Sequence, residues 1–348
     1  MKYKKVYIIS PLSFVSGGAD ALHQMAYYLN QLHIDASMAY YSYEKIDAGK
    51  VNIPAPFKEY INSFLLYDDI VDEKDVAIVI PEIYAYLSKE FKCADTYIWW
   101  LGIGGYASVN KKSILLLSLP LRIIRHWDRY KINPIFIVKE SLKYSFIFEK
   151  KNAHHLCASY YTFDFVSKKS KKEVQKCIEP ISKFFINEYD KIKDVIDDEK
   201  RQDLILYNPK RCEAYVQKLI NYNPDLKFIP LQNLTQEQLI QKYLTAKLYI
   251  DFGPFPGAER IPKEAVLFGC NILTGQHGAS NYHGDVPIPS KYKMNEEKTS
   301  IDEISAIIRW MLNQYKEIYC DFDEYRTTVK NLELNFTNAL QRIFTNDN

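Results

Sequence analysis

The residues best suited to chemistry lie between Tyr249 and Pro289, in YIDFGPFPGAERIPKEAVLFGCNILTGQHGASNYHGDVPIP. An apolar run ends in Asp251-Phe252-Gly253, a Pro/Gly loop follows, and Glu259-Arg260-Ile261-Pro262-Lys263-Glu264 leads into a helix predicted over 262–268 and closed by Gly269. Gly253 and Gly257 allow the backbone to approach a ligand closely. A helix N-terminus offers unpaired N–H groups and the positive end of the helix dipole, which suit phosphate. Arg260 can add a bidentate, charge-assisted contact. Glu264, one turn into the helix, can accept two hydroxyls of a ribose. Together these residues suggest a grip on a phosphate and a sugar.

Two other loops carry candidate groups. Ser16-Gly17-Gly18-Ala19-Asp20 follows the first apolar run, with His23 one turn further on. Asp20 and His23 are candidate bases, histidine for its tuneable pKa. The plainer readings are a tight glycine turn, an acid favoured by the helix dipole, and a half-buried histidine. Tyr207-Asn208-Pro209-Lys210-Arg211 offers cations, with Lys218 behind them. Here the plainer reading is a solvated pair. Gly102-Ile103-Gly104-Gly105-Tyr106-Ala107 has the spacing of a dinucleotide fingerprint. The acid that fingerprint requires ~20 residues on is missing, so this reads as a tight loop facing the gap between domains. Asp321-Phe322-Asp323 is read as a helix cap. His154, His155, His277 and His283 lack zinc-ligand spacing, and no metal is expected.

Short β-rich runs alternate with helical spacing, which argues for parallel sheets. Strands are predicted at 6–10, 76–80, 96–100, 135–138 and 155–158, then at 203–207, 227–230, 247–251 and 271–274. Leu22, Met25, Ala26 and Leu29 share a helix face, as do Ile304, Ile307, Ile308 and Met311. The charged stretch 167–200 is read as the crossing between two domains.

The 348 residues fit two domains. The net charge of +2 gives no overall case for nucleic acid. The six cysteines show no zinc or redox pairing, as in a reduced, cytoplasmic protein. No run approaches the ~20 apolar residues of a bilayer span. Residues 113–125, apolar with Arg122 and Arg125 near the end, are either a buried element or a peripheral patch at the inner face of the membrane.

The Gly17-Gly18 loop, the basic Lys210-Arg211 loop and the Glu264-Ala265 and Gly269-Cys270 pairs, in this order, resemble GT-B glycosyltransferases of the bacterial capsule and lipopolysaccharide type. The resemblance implies an α/β fold of two Rossmann-like domains facing across a cleft. Residues 1–190 would form the acceptor side, 201–300 the nucleotide-sugar domain, and 301–348 helices returning to the first domain. It implies a sugar moved from a nucleotide-sugar donor to a hydroxyl of a glycan or lipid-linked glycan, with no cofactor and no metal. Gly17, Gly18, Asn208, Lys210, Arg211, Gly253, Gly257, Arg260 and Glu264 would bind the donor, and Asp20 or His23 would serve as base. The first of the family's two spaced glutamates is missing, since Pro256 stands in its place. Asp251 and Glu259 are its possible substitutes. Two rival readings are a nucleotide-dependent oxidoreductase using the Gly102 loop and a non-catalytic nucleotide-sugar or glycan-binding protein of the same fold.

Overall fold

The computed structural model describes residues 2–12, 15–42, 51–103, 147–148, 150–195, 200–211 and 213–345. The strand predicted at 135–138, residues 113–125 and residues 104–107 of the Gly102 loop lie outside them. The chain divides into two compact units, 1–179 with 334–348, and 180–333.

In the first unit β1 (Lys5–Pro11), β2 (Ala36–Tyr41), β3 (Leu65–Leu66), β4 (Val76–Pro81), β5 (Asp95–Trp100), β6 (Ala153–Cys157) and β7 (Val174–Lys176) form one sheet in the order β3-β2-β1-β4-β5-β6-β7. Every pairing in it is parallel. The strands are near-continuous apolar runs because both faces are covered. Val6, Ile8 and Val79 pack on one face with α1 (Gly17–Gln31), while Ile9, Ile78 and Ile80 pack on the other. The predicted face of α1 is the buried one, with Leu22, Met25, Ala26 and Leu29 at 1% exposure or less. β7 corrects the reading of 167–200 as a pure crossing: Val174–Lys176 is an edge strand, and α2 (Tyr160–Ser167) precedes it.

The second unit begins with α3 (Lys183–Ile192). It continues through β8 (Gln202–Tyr207), α4 (Glu213–Tyr222), β9 (Lys227–Pro230), α5 (Gln236–Thr245), β10 (Ala246–Asp251), α6 (Arg260–Leu267), β11 (Asn271–Gly275) and β12 (Lys293–Met294). Its sheet runs β12-β11-β10-β8-β9, again with all pairings parallel. Arg201, just before β8, donates to the carbonyls of Tyr243 (2.7 Å), Ala246 (2.8 Å) and Phe268 (2.5 Å), so one buried cation ties three chain segments together.

α7 (Ile301–Asn313) and α8 (Asp323–Lys330) belong to this second unit, whereas α9 (Leu332–Phe344) runs into the first. The expected return of all residues 301–348 is therefore corrected to 334–348. Ile304 and Ile308 of α7 are fully buried, and Ser305 accepts a hydrogen bond from Asn223 at 2.9 Å. The first unit ends at 179 rather than near 190, because Phe185 of α3 meets the rings of Tyr243 and Phe268.

Candidate active site

In an open parallel sheet, ligands gather beyond the carboxyl ends of the strands where the strand order reverses direction. In the second unit that point lies between β8 and β10. The loop after β8 carries Asn208, Lys210 and Arg211, and the loop after β10 carries Asp251, Gly253 and Gly257. The Asn208 side chain accepts the Lys210 N–H at 3.1 Å and its carbonyl accepts the Arg211 N–H at 3.1 Å, a turn that folds the loop back. Lys210 points to solvent.

Arg211 crosses the gap instead. Its Nε lies 3.5 Å from Asp251 Oδ1, its Nη1 pairs with Glu259 and its Nη2 donates to the Pro254 carbonyl. The guanidinium also sits 4.8 Å from the Phe255 ring. Asp251 receives the Tyr249 hydroxyl at 3.0 Å and the Gly253 N–H at 2.9 Å. Burial holds the Asp251 carboxyl above its usual range, with Arg211 pulling the other way. A Cβ on Gly253 would stand 2.7 Å from Arg211 Cβ, so glycine is what lets the two loops close on each other. Arg211 was expected among the cations for the donor diphosphate. It is engaged within the protein by two carboxylates, which leaves it to shape the loop.

That engagement affects the next helix. Glu259 is the N-cap of α6 but makes no capping hydrogen bond, since its carboxylate turns to Arg211. The first-turn N–H groups of Arg260 and Ile261 thus have no side-chain cap, while Pro262 has no N–H to satisfy. Lys263 and Glu264 follow, 3% and 5% exposed. Glu264 accepts the Tyr243 hydroxyl at 3.1 Å, so its carboxylate is braced from α5. Gly253, Gly257, Arg260, Glu264 and Arg211 therefore share one edge of one sheet.

In the first unit the reversal falls between β1 and β4. Ser16 caps α1 by accepting the Ala19 N–H at 3.2 Å; Gly17 is exposed and Gly18 half-buried. Asp20 is buried and accepts the Gln24 amide at 2.6 Å. His23 is fully buried. Its Nδ1 meets the Ala19 carbonyl at 2.6 Å and its Nε2 the Tyr40 hydroxyl at 2.9 Å. A carbonyl can only accept, so Nδ1 carries a proton. The ring stacks on Phe57 at 4.0 Å, and burial lowers its pKa to about 4. This corrects His23 as a candidate base: both nitrogens are committed inside the core.

Sequence reasoning passed over Glu82. It follows β4 at the same edge, and its carboxylate accepts the Leu101 N–H at 3.2 Å. Burial pushes its pKa up to about 8, with the charge of Glu179 adding to the rise. Only its place after a strand-ending proline was legible. The Asp321 and Asp323 cap reading is also corrected. Asp321 binds Lys291 and Tyr292, and Asp323 pairs with Arg326. Among the described residues no three His, Cys, Asp or Glu side chains gather as a metal site.

Solved structures resemble the chain over its full length. A glycosyltransferase from Rickettsia africae aligns with a TM-score of 0.55 at 12% identity, covering 100% of both chains. WaaG, a glycosyltransferase involved in lipopolysaccharide biosynthesis, aligns at 0.56 and 12% identity, covering 99% of this chain and 100% of its own. HepE of Anabaena, in complex with UDP-glucose, aligns at 0.50 and 10% identity over 98% of each chain. The fold is that of the GT-B glycosyltransferases. No protein-family model matches the chain, and no curated sequence does. Within the GT-B frame Glu264 lies buried inside α6, and Pro256 occupies the loop where a first glutamate is missing. Its two possible substitutes, Asp251 and Glu259, are both bound to Arg211.

Proposed function

We propose that this protein is a glycosyltransferase that moves a sugar from a nucleotide-sugar donor to a hydroxyl of a surface-glycan acceptor, of the capsule or lipopolysaccharide kind. The observation that carries the reading is the α6 junction. It is a helix N-terminus without a side-chain cap, at the reversal point of a parallel sheet, flanked by Arg260, Lys263 and Glu264. Such an end suits a diphosphate. The donor diphosphate would take the N–H groups of Arg260 and Ile261 and the charges of Arg260 and Lys210. Glu264 would hold the ribose. Preorganised charge of this kind stabilises a leaving diphosphate as the anomeric bond breaks. Asp20 is the acceptor-side carboxylate of the scheme. The acceptor oxygen forms the new bond to the anomeric carbon, its proton leaves to a base, and the nucleoside diphosphate departs with the electron pair. The scheme uses no cofactor or metal. A lipid-linked acceptor would bring the protein to the inner face of the membrane as a peripheral partner; no described helix is long and apolar enough to cross one.

A thermal-shift screen of nucleotides and nucleotide sugars tests the reading, since a ligand that binds the native state raises its stability by mass action. A donor should raise the melting temperature, and Arg260→Ala and Glu264→Ala should each abolish the rise. Unchanged rises in both folded variants would move the site elsewhere. Pro256 in the place of the missing glutamate favours a second reading, a non-catalytic binder of nucleotide sugar. That reading gains if donors bind and no acceptor pool gives turnover.

A further inference from the structure

β11 ends in Gly275, and the chain turns through Gln276, His277 and Gly278. This loop lies beside the Gly253–Gly257 loop, because Ala279 N–H donates to the Phe255 carbonyl at 2.9 Å. Its own shape is fixed by Ser280, whose hydroxyl donates to the Gly275 carbonyl at 2.6 Å and accepts the His277 N–H at 2.9 Å. On this frame His277 Nε2 is bound to Glu296, which follows β12. The Glu296 side chain is 11% exposed, and its second oxygen is buried with no hydrogen-bond partner among the described residues. A Cβ on Gly275 would lie 2.9 Å from His277 Cδ2 and 3.2 Å from the Glu296 carboxylate, so the pair folds over the strand end only because a glycine is there.

A histidine bound to a carboxylate has a fixed ring plane and a fixed tautomer. An ionised carboxylate can only accept, so Nε2 carries the proton and Nδ1 keeps its lone pair when the ring is neutral. His277 is 38% exposed in its side chain, and its Nδ1 has no hydrogen-bond partner among the described residues. The arrangement presents one oriented acceptor at the edge where the α6 junction would hold a diphosphate. The charge shown against the ring itself is the Glu296 carboxylate, which suits a hydroxyl better than a second phosphate at this position.

We infer that His277, oriented by Glu296, accepts a hydrogen bond from a hydroxyl of the sugar carried by the donor and so helps select that sugar. The inference rests on the donor-binding reading above. His277 is the contacting residue and Glu296 its positioning residue.

The test measures dissociation constants by calorimetry for UDP-glucose, UDP-galactose, UDP-N-acetylglucosamine, ADP-glucose and GDP-mannose, each beside its free nucleoside diphosphate. In the wild type at least one sugar should tighten binding over its diphosphate. His277→Ala should lose about tenfold of that gain, the worth of one hydrogen bond, with diphosphate affinity unchanged. Glu296→Gln should lose part of the gain and also move the imidazole ¹⁵N resonances of His277, which a purely structural role would not combine with unchanged diphosphate binding. Gly275→Ala, which crowds the pair, should act like Glu296→Gln. If His277→Ala keeps the full gain, or the wild type binds diphosphates and gains nothing from any sugar, the inference falls and the donor reading stands. If the wild type binds none of the panel, the donor reading falls and takes the inference with it.

Discussion

Arg211 and Asp251 face each other across the point where the second sheet reverses its strand order, Nε to Oδ1 at 3.5 Å, with the Asp251 side chain only 2% exposed. Removing one partner of such a pair leaves a buried charge unanswered, which typically costs about 3–5 kcal/mol. Arg211→Ala should therefore unfold the second unit at clearly lower urea, and Asp251→Asn in the same chain should restore part of the loss. A lysine at 211 offers one point charge instead of a fork, and should rescue less than Asp251→Asn does. Denaturant midpoints of the four proteins check this.

Gly253→Ala puts a methyl group 2.7 Å from Arg211 Cβ. The neighbour is a Cβ fixed to its backbone and cannot swing aside. Overpacking of this kind costs about 1–3 kcal/mol, and the two loops should part. The expected result is a lower melting temperature together with a loss of the nucleotide-sugar shift.

Glu82 gives a pH dependence. Its pKa is raised from an ordinary value near 4.5 to about 8 in the folded chain. The folded state holds this proton more tightly than the unfolded state, so its contribution is fully present below the ordinary value and is lost as pH rises through about 8. Melting temperature should fall from pH 5 to pH 8.5, and Glu82→Gln should flatten the fall. An unchanged slope in the variant would place the effect elsewhere.

His23 acts in the opposite window. Its pKa is lowered from 6.5 to about 4, so its stabilising contribution is present above 6.5 and lost as pH falls through about 4. His23→Ala also opens a cavity beside Phe57, and a loss of about 2–4 kcal/mol is expected. The activity of the surviving folded protein should keep its pH profile, as measured by transfer rates across pH 6–8. A profile that lost a limb would restore His23 as a base.

The alternation of apolar runs with helical spacing made most of the strands and their parallel pairing legible, because parallel strands buried on both faces cannot hide their composition. β2, β3, β7 and β12 escaped: Ala36–Tyr41 is rich in Ser, Ala and Tyr, and the other three are two or three residues long. The glycine loops and the α6 junction could be read because glycine and proline punctuate so strongly. What Arg211 binds could not, since Asp251 and Glu259 lie 40 and 48 positions away and choose it only after folding. The same holds for His23, whose partner Tyr40 comes from an unread strand, and for His277, which only the turn after β12 joins to Glu296.

Phe336, Leu340, Ile343 and Phe344 of α9 complete the core built on β1, α1 and β5. These residues leave the ribosome after the whole of the second unit. During synthesis the earlier-made half of the protein therefore waits, with apolar surface uncovered beside Tyr3, Tyr28 and Trp99, until its last helix arrives. The order of manufacture is thus the reverse of the order of completion.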